Sequence, residues 1–68
     1  MTLAEMRPGD IGVVLMVPDH LAHLHLYAGS HVRLITTMDG LFLVEVAGAR
    51  LAICHSLAGK MILAAYYE

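Results

Sequence analysis

Residues 31–47, HVRLITTMDGLFLVEVA, give the clearest indication of the fold of this chain. Residues 31–37 and 41–47 are rich in β-branched and apolar side chains, and a Met-Asp-Gly tripeptide at 38–40 separates them. Two strand-like runs divided by a short segment that contains Asp-Gly are typical of a β-hairpin. The sequence therefore predicts two antiparallel strands at the centre of the chain.

The register of this hairpin follows from its charged residues. A three-residue loop with Gly40 in the left-handed conformation would place Leu34 opposite Val44 and Arg33 opposite Glu45. A two-residue Asp-Gly turn would instead place each charged side chain opposite an apolar one, and the favourable pairing of opposite charges would be lost. We therefore expect the three-residue loop.

Three further strand-like runs flank the hairpin, at residues 11–17, 50–54 and 61–67. Thr2 and Glu5 have the spacing of a capping box, which predicts one helical turn near the start of the chain. Asp19 can cap a short helix. Five short strands with close turns and no long helix indicate a mainly β protein: a small five-stranded antiparallel barrel with one short helix between the first and second strands.

Side-chain alternation divides the apolar residues of this barrel into two sets. Six of them should point inward: Val32, Leu34, Val44, Val46, Leu51 and Ile53. The predicted register leaves Ile35, Leu41 and Leu43 together on the outer face of the hairpin. Contiguous exposed apolar area usually marks an interface, and an ordinary scattering of surface aliphatic residues is the alternative. Self-association and a foreign partner are equally compatible with such an interface.

The composition limits the classes of protein to which the chain can belong. Apolar residues make up 59% of the 68 residues and charged residues 15%, which excludes disorder and predicts one domain, 1–68. The net charge is −2 and the four Lys and Arg residues are scattered, so nucleic acids and anionic membrane surfaces are disfavoured partners. No apolar run approaches the roughly 20 residues that span a bilayer, so we expect no membrane insertion. A single cysteine and a start unlike a secretory signal favour the cytoplasm.

Five histidines and one cysteine are the residues that suggest metal or nucleophile chemistry. His20 and His23 are three positions apart and His25 is close by, so together they could hold a transition metal such as Fe(II) or Zn(II). The alternative is that they are solvent-facing polar residues, because their spacing is not that of an H-E-x-x-H site. Cys54 and His55 should point to opposite faces of a strand, which makes a poor catalytic pair. We expect a protein that is not an enzyme and requires no cofactor.

Four blocks of the sequence, in order, resemble a known family. Residues 3–10 (LAEMRPGD) resemble an L-x-x-L-x-P-G-D opening, and residues 24–29 (LHLYAG) resemble an L-G-[LM]-x-P-G turn. Residues 44–48 (VEVAG) fit V-x-V-x-G, and residues 58–63 (AGKMIL) fit A-x-x-I-x-V. The chain thus resembles the ferrous iron transport protein A (FeoA) family, which has an SH3-like barrel, over essentially its whole length.

This resemblance implies a stand-alone, non-enzymatic cytoplasmic accessory protein of ferrous iron uptake. The implied partner is FeoB, the membrane ferrous iron transporter with a cytosolic GTPase domain, and the implied action is to dock on FeoB and modulate transport or nucleotide turnover. The residues expected to contact it lie in the 24–29 turn and on the outer hairpin face: Leu24, Leu26, Tyr27, Ile35, Leu41 and Leu43. The family turn usually has Gly where this chain has His25 and Pro where it has Ala28.

Two other functions stay open at the level of the sequence. The histidine segment would suit a metal-binding or metal-responsive regulator that uses His20, His23 and His25. The surplus of apolar residues would suit a self-assembling structural barrel, which is a homo-oligomer. Metal titration and measurement of the oligomeric state distinguish these functions from a docking module.

Overall fold

The computed structural model describes residues 1–17 and 26–66, which form one five-stranded sheet. The elements in chain order are a 3₁₀ turn (Leu3–Glu5), β1 (Ile11–Met16), β2 (His31–Met38), β3 (Leu41–Val46), β4 (Ala49–Cys54), α1 (His55–Ala58) and β5 (Ile62–Ala65). The strands are ordered β4-β3-β2-β1-β5, and every neighbouring pair is antiparallel. The predicted mainly β architecture is confirmed. The helix predicted between the first and second strands falls outside the described residues, and a one-turn helix, α1, lies between β4 and β5.

The central hairpin is closed by a two-residue turn, so the predicted three-residue loop is wrong. Met38 pairs directly with Leu41. Between them, Asp39 and Gly40 have φ of 50° and 77°. A type I′ turn requires φ > 0 at both central positions, and Asp-Gly is among the dipeptides that accept it most readily. The local preference of these two residues determines the turn.

A β-bulge at Ile35 reconciles this turn with the predicted charge pairing. Arg33 still pairs with Glu45, whereas Thr36, and not Ile35, lies opposite Leu43. The bulge adds one residue to β2 and so compensates for the residue that the shorter loop removes. The expected pairing of Arg33 with Glu45 is therefore correct although the expected loop is not.

A second bulge lies in β1, where it pairs with β5. Val14 pairs with Leu63 and Met16 pairs with Ile62, which leaves Leu15 as the extra residue. Because a bulge interrupts the alternation of the strand, Leu15 and Met16 are both exposed, at 56% and 65%. This end of β1 presents two successive apolar side chains to solvent.

The turn from Arg7 to Asp10 is fixed to β2 by main-chain hydrogen bonds. Gly9 has φ of 94°, as the third residue of a type II turn requires. The Asp10 carboxylate accepts a hydrogen bond from the main-chain N–H of Arg7 at 2.9 Å. Gly9 N–H donates to the carbonyl of Leu34 at 2.8 Å, and Leu34 N–H donates back to the carbonyl of Asp10 at 3.0 Å.

The turn from Tyr27 to Ser30 repeats this arrangement on β1. Gly29 also has φ of 94°, and the Ser30 hydroxyl accepts a hydrogen bond from the Tyr27 N–H at 3.2 Å. Gly29 N–H donates to the carbonyl of Val14 at 2.7 Å, and Val14 N–H donates to the carbonyl of Ser30 at 2.8 Å. Two turns of the same design are thus bonded to β2 and β1, the strands that have each other as neighbours in the sheet.

The core lies inside the sheet and beneath the two helical turns. Its buried apolar side chains are Leu3, Met6, Val14, Leu26, Val32, Leu34, Phe42, Val44, Val46, Ile53, Ala58, Met61 and Leu63. Of the six residues predicted to point inward, five are in this set, and Leu51 is half-buried against it. Because complete burial of a large apolar side chain contributes about 1.5–3 kcal/mol, this cluster supplies most of the driving force for folding.

The first residues of the chain cover the outer edge of β5. The amino group of Met1 donates to the carbonyl of Leu63 at 3.0 Å, and Leu63 N–H donates to the carbonyl of Met1 at 2.7 Å. Leu3 N–H donates to the carbonyl of Met61 at 3.2 Å. The predicted capping box follows at once, with the Glu5 carboxylate accepting the main-chain N–H of Thr2 at 2.8 Å. This edge of the sheet is therefore paired with main chain.

Candidate functional site

The outer face of the central hairpin presents apolar side chains to solvent. Phe42 and Val44 point into the core, so Leu41 and Leu43 on the same strand point outward. Leu41 is 44% exposed, and Leu43 is half-buried. Ile35 is half-buried at the bulge. All three residues are accessible to a partner to some extent.

Met38 belongs to the same face, although the sequence placed it in the loop. It lies directly opposite Leu41 and is 62% exposed. The two-residue turn moves Met38 from the loop into the last position of β2. The signal that could have identified it is the Asp-Gly dipeptide, which favours a type I′ turn more strongly than the charge pattern disfavours it. Met38 and Leu41 form an exposed apolar pair at the tip of the hairpin.

The predicted contact residues of the 24–29 turn do not share one surface. Leu24 lies outside the described residues. Leu26 is fully buried, so its side chain belongs to the core and is not available on the surface. Tyr27 is 55% exposed at the start of the turn that docks on β1. Of the two that the structure describes, Leu26 and Tyr27, only Tyr27 presents a large exposed apolar surface.

Tyr27 lines an open groove of about 390 Å³ beside the sheet. The other residues that line this groove are Ser30, His31, Val46 and Ala47. The ring of His31 meets that of Tyr66 edge-on, with the centroids 4.8 Å apart. Nothing in the sequence pattern identified His31, because its place beside Tyr66 depends on the pairing of β1 with both β2 and β5.

A neighbouring groove of about 290 Å³ continues from His31 along the outer face of β2 and β3. It contains the ion pair of this surface, in which Arg33 Nη2 donates to Glu45 Oε1 at 3.0 Å. Ile11 and Ala47 complete its lining. The surface therefore combines apolar walls with a neutralised pair of charges, an arrangement that suits contact with another polypeptide.

The predicted metal ligands His20, His23 and His25 lie outside the described residues. In residues 1–17 and 26–66, no three His, Cys, Asp or Glu side chains lie close enough to hold one metal ion.

Cys54 and His55 make separate contacts. The Cys54 Sγ lies 3.5 Å from the Ser56 hydroxyl, and the His55 ring lies against that of Phe42 with centroids 5.9 Å apart. Hydrogen bonds from the Ser56 hydroxyl and from the main-chain N–H of Leu57 lower the pKa of the Cys54 thiol. Cys54 as a whole residue is half-buried.

Among the residues whose structure is described, no helix is long and apolar enough to cross a membrane.

Solved structures share this fold. A crystal structure described as "Iron Uptake Regulatory Protein (FeoA)" is 28% identical, with a TM-score of 0.88 over 97% of this chain and 96% of that one. FeoA of Stenotrophomonas maltophilia complexed with zinc, described as a prokaryotic SH3 domain protein, is 26% identical, with a TM-score of 0.82 over 94% of this chain and 89% of that one. These likenesses confirm the SH3-like fold.

A manganese-dependent transcriptional repressor is 19% identical, with a TM-score of 0.86 over 96% of this chain and 40% of the repressor. At this identity the likeness shows the fold alone. The comparison with curated proteins finds no match. The FeoA domain model matches residues 1–65. Because that match spans nearly all of the sequence, the chain belongs to the FeoA domain family.

Proposed function

We propose that this chain is a non-enzymatic cytoplasmic accessory protein of ferrous iron uptake, and that it docks on the membrane transporter FeoB. Its membership of the FeoA domain family supports the role in iron uptake. So does its likeness to a protein described as an iron uptake regulatory protein. The partner is proposed from the family resemblance of the sequence.

The observation that carries the docking proposal is the exposed pair of Met38 and Leu41. The two side chains lie opposite each other at the tip of the hairpin, 62% and 44% exposed. Leu43 extends the same face towards the centre of the sheet. Complete burial of a Met or Leu side chain contributes about 1.5–3 kcal/mol, so covering this pair would supply a useful part of a binding free energy.

Docking of this kind modulates a partner without chemistry of its own. A ligand shifts a conformational equilibrium by the difference between its affinities for the two states. The chain would therefore alter transport or nucleotide turnover if its hairpin face bound one state of FeoB more tightly than the other. This mechanism needs a surface and no catalytic group.

The test is the affinity of purified FeoB for the wild-type chain and for two charge variants. Met38→Glu places a charge on the proposed surface, whereas Met16→Glu places the same charge on an equally exposed methionine of β1 (65% against 62%). We expect Met38→Glu to weaken binding about tenfold or more, since a charge left in an apolar contact costs more than the roughly 1.4 kcal/mol that this factor represents. Met16→Glu should bind like the wild type. If the wild type does not associate with FeoB at micromolar concentration, the docking proposal is wrong. If both variants lose affinity equally, the hairpin face is not the docking surface.

Binding of a transition metal is the second candidate function, and one observation favours it. The FeoA structure from Stenotrophomonas maltophilia, 26% identical to this chain, is complexed with zinc. His20, His23 and His25 are the proposed ligands. Calorimetry with Zn(II), Fe(II) and Ni(II) should show binding that a His20→Ala/His23→Ala variant loses, and unchanged binding in that variant would remove the site.

A further inference from the structure

The edge of the sheet formed by β4 has no main-chain partner among the described residues. β4 pairs with β3 on one side only and stands last in the strand order. The opposite edge of the sheet, at β5, is bonded by Met1 and Leu3. Among the described residues, the β5 edge is therefore hydrogen-bonded to main chain and the β4 edge is not.

The register shows which groups of β4 point away from β3. The two-residue turn at Ala47 and Gly48 makes Val46 and Ala49 a hydrogen-bonded pair. Such pairs then recur at every second residue, and the hydrogen bond from His55 N–H to the Gly40 carbonyl at 2.9 Å continues the series. Between them, Arg50 and Ala52 turn both their N–H and C=O groups outward. Cys54 turns its N–H outward, whereas its carbonyl caps the start of α1.

Within residues 1–17 and 26–66, this edge lacks the usual protection against strand pairing. Exposed edges are commonly protected by proline, by a bulge or by several charged side chains. β4 contains no proline, its six residues pair with β3 without a shift in register, and its one charged residue is Arg50. Ala49 and Ala52 are exposed and small. Another extended strand can approach such an edge closely.

Two-fold symmetry makes the same edge complementary to itself. In an antiparallel pair of β4 strands, the outward N–H and C=O groups of each copy meet those of the other, as an isologous interface requires. A two-fold axis at Ala52 would place the Cα atoms of the two Arg50 residues about 14 Å apart. An axis at Leu51 would place the same two atoms about 8 Å apart. Because the first distance exceeds the Debye length of about 8 Å at physiological salt, it avoids the repulsion between the arginines.

We propose that two copies of this chain pair antiparallel along β4, with Ala52 of one copy opposite Ala52 of the other. The pairing joins two five-stranded sheets into one continuous sheet. Leu43 lies opposite Ala52 in each copy, so the outer faces of the two hairpins become neighbours across the axis. This proposal does not rest on FeoB docking, since the chain alone suffices to test it.

The oligomeric state of variants at Ala52 tests the pairing. Sedimentation equilibrium from micromolar to near-millimolar concentration should show a mass of 7.4 kDa converting to twice that value in the wild type. Ala52→Pro removes an N–H that does not bond to β3, so the barrel keeps its own hydrogen bonds while the dimer is lost. Ala52→Ser retains the N–H at similar size and should dimerise like the wild type.

A charge exchange tests the register without depending on how proline is tolerated. Ala52→Lys and Ala52→Glu each place two like charges opposite each other at the axis, and each variant alone should dimerise about tenfold or more weakly than the wild type. An equimolar mixture should recover association, because lysine then faces glutamate. A monomeric wild type over the whole concentration range, or a mixture that associates no better than its separate components, would overturn the proposal.

Discussion

The Arg33 guanidinium and the Glu45 carboxylate, 3.0 Å apart, form an ion pair across directly opposed positions of β2 and β3. Their side chains are 50% and 32% exposed, so water screens the attraction. A double-mutant cycle with Arg33→Ala and Glu45→Ala should give a coupling energy of about 0.2–1 kcal/mol that decreases as salt is added. Arg50 provides the control, because it is paired with Glu45 from β4 but forms no ion pair with it in the described structure. An equally large coupling energy between Arg50 and Glu45 would show that the ion-pair contact of Arg33 with Glu45 does not determine the coupling energy.

The same pair shows how far the sequence predicts the fold. The charge pattern predicts that Arg33 faces Glu45, and apolar alternation predicts most of the core, because both signals are local to the strands that carry them. The pattern does not predict the bulge at Ile35. The bulge arises because the two-residue turn and the Arg33–Glu45 pair set strand registers that differ by one residue. Met38 is missed for that reason. His31 is missed because its contact with Tyr66 joins strands that are distant in the sequence.

Gly40 and Gly59 form a matched test of backbone conformation. Neither has a close neighbour where a Cβ would be added, with nothing within 4 Å of Gly40 and nothing nearer than 3.7 Å to Gly59. Gly40 has φ of 77° and Gly59 has φ of −69°. Gly40→Ala should therefore destabilise the protein by about 1–2 kcal/mol. Gly59→Ala should stabilise it by about 0.4–1 kcal/mol, by reducing the entropy of the unfolded chain.

Urea denaturation of both glycine variants measures these changes. The changes in the free energy of unfolding, relative to the wild type, should be opposite in sign for the two variants. Destabilisation of similar size in both would mean that the loss of glycine as such, and not the left-handed conformation at Gly40, determines the effect.

Gly12 should be intolerant of substitution for a steric reason. A Cβ at this position would lie 3.1 Å from Leu63 Cδ2 and 3.2 Å from Leu63 Cβ. Leu63 is fully buried and cannot move aside without disturbing the core. Gly12→Ala should cost about 1–3 kcal/mol, which lowers the melting temperature by about 4–8 °C per kcal/mol in a domain of this size. An unchanged melting temperature would contradict the close approach of β1 to β5 at this point.

The Cys54 thiol should ionise at lower pH in the folded protein than in the unfolded chain. The Ser56 hydroxyl, and then the Leu57 N–H, stabilise its thiolate and lower the pKa of the thiol. The rate of alkylation by iodoacetamide should therefore rise with pH earlier in the native protein than in urea. Ser56→Ala should move the native profile to higher pH, and a profile unaffected by that change would exclude the hydroxyl as the main cause.

Linkage gives the corresponding change in stability. Because the pKa of Cys54 is lower in the folded state, the thiolate favours folding. This contribution is fully present above the unfolded pKa and is lost as the pH falls through the folded pKa. A pH series of the unfolding free energy should show this gain towards alkaline pH in the wild type and not in Cys54→Ala.

The bulge at Ile35 has a consequence for how this hairpin can vary in length. The type I′ turn and the Arg33–Glu45 pair impose registers that differ by one residue, and Ile35 accounts for the difference. Loop length and strand length are thus exchangeable at this hairpin. Loss of Ile35 together with gain of one residue beside Gly40 would leave the inner half of the hairpin unchanged. A variant of this chain can therefore have a loop one residue longer without repacking the core, provided that β2 loses its bulge.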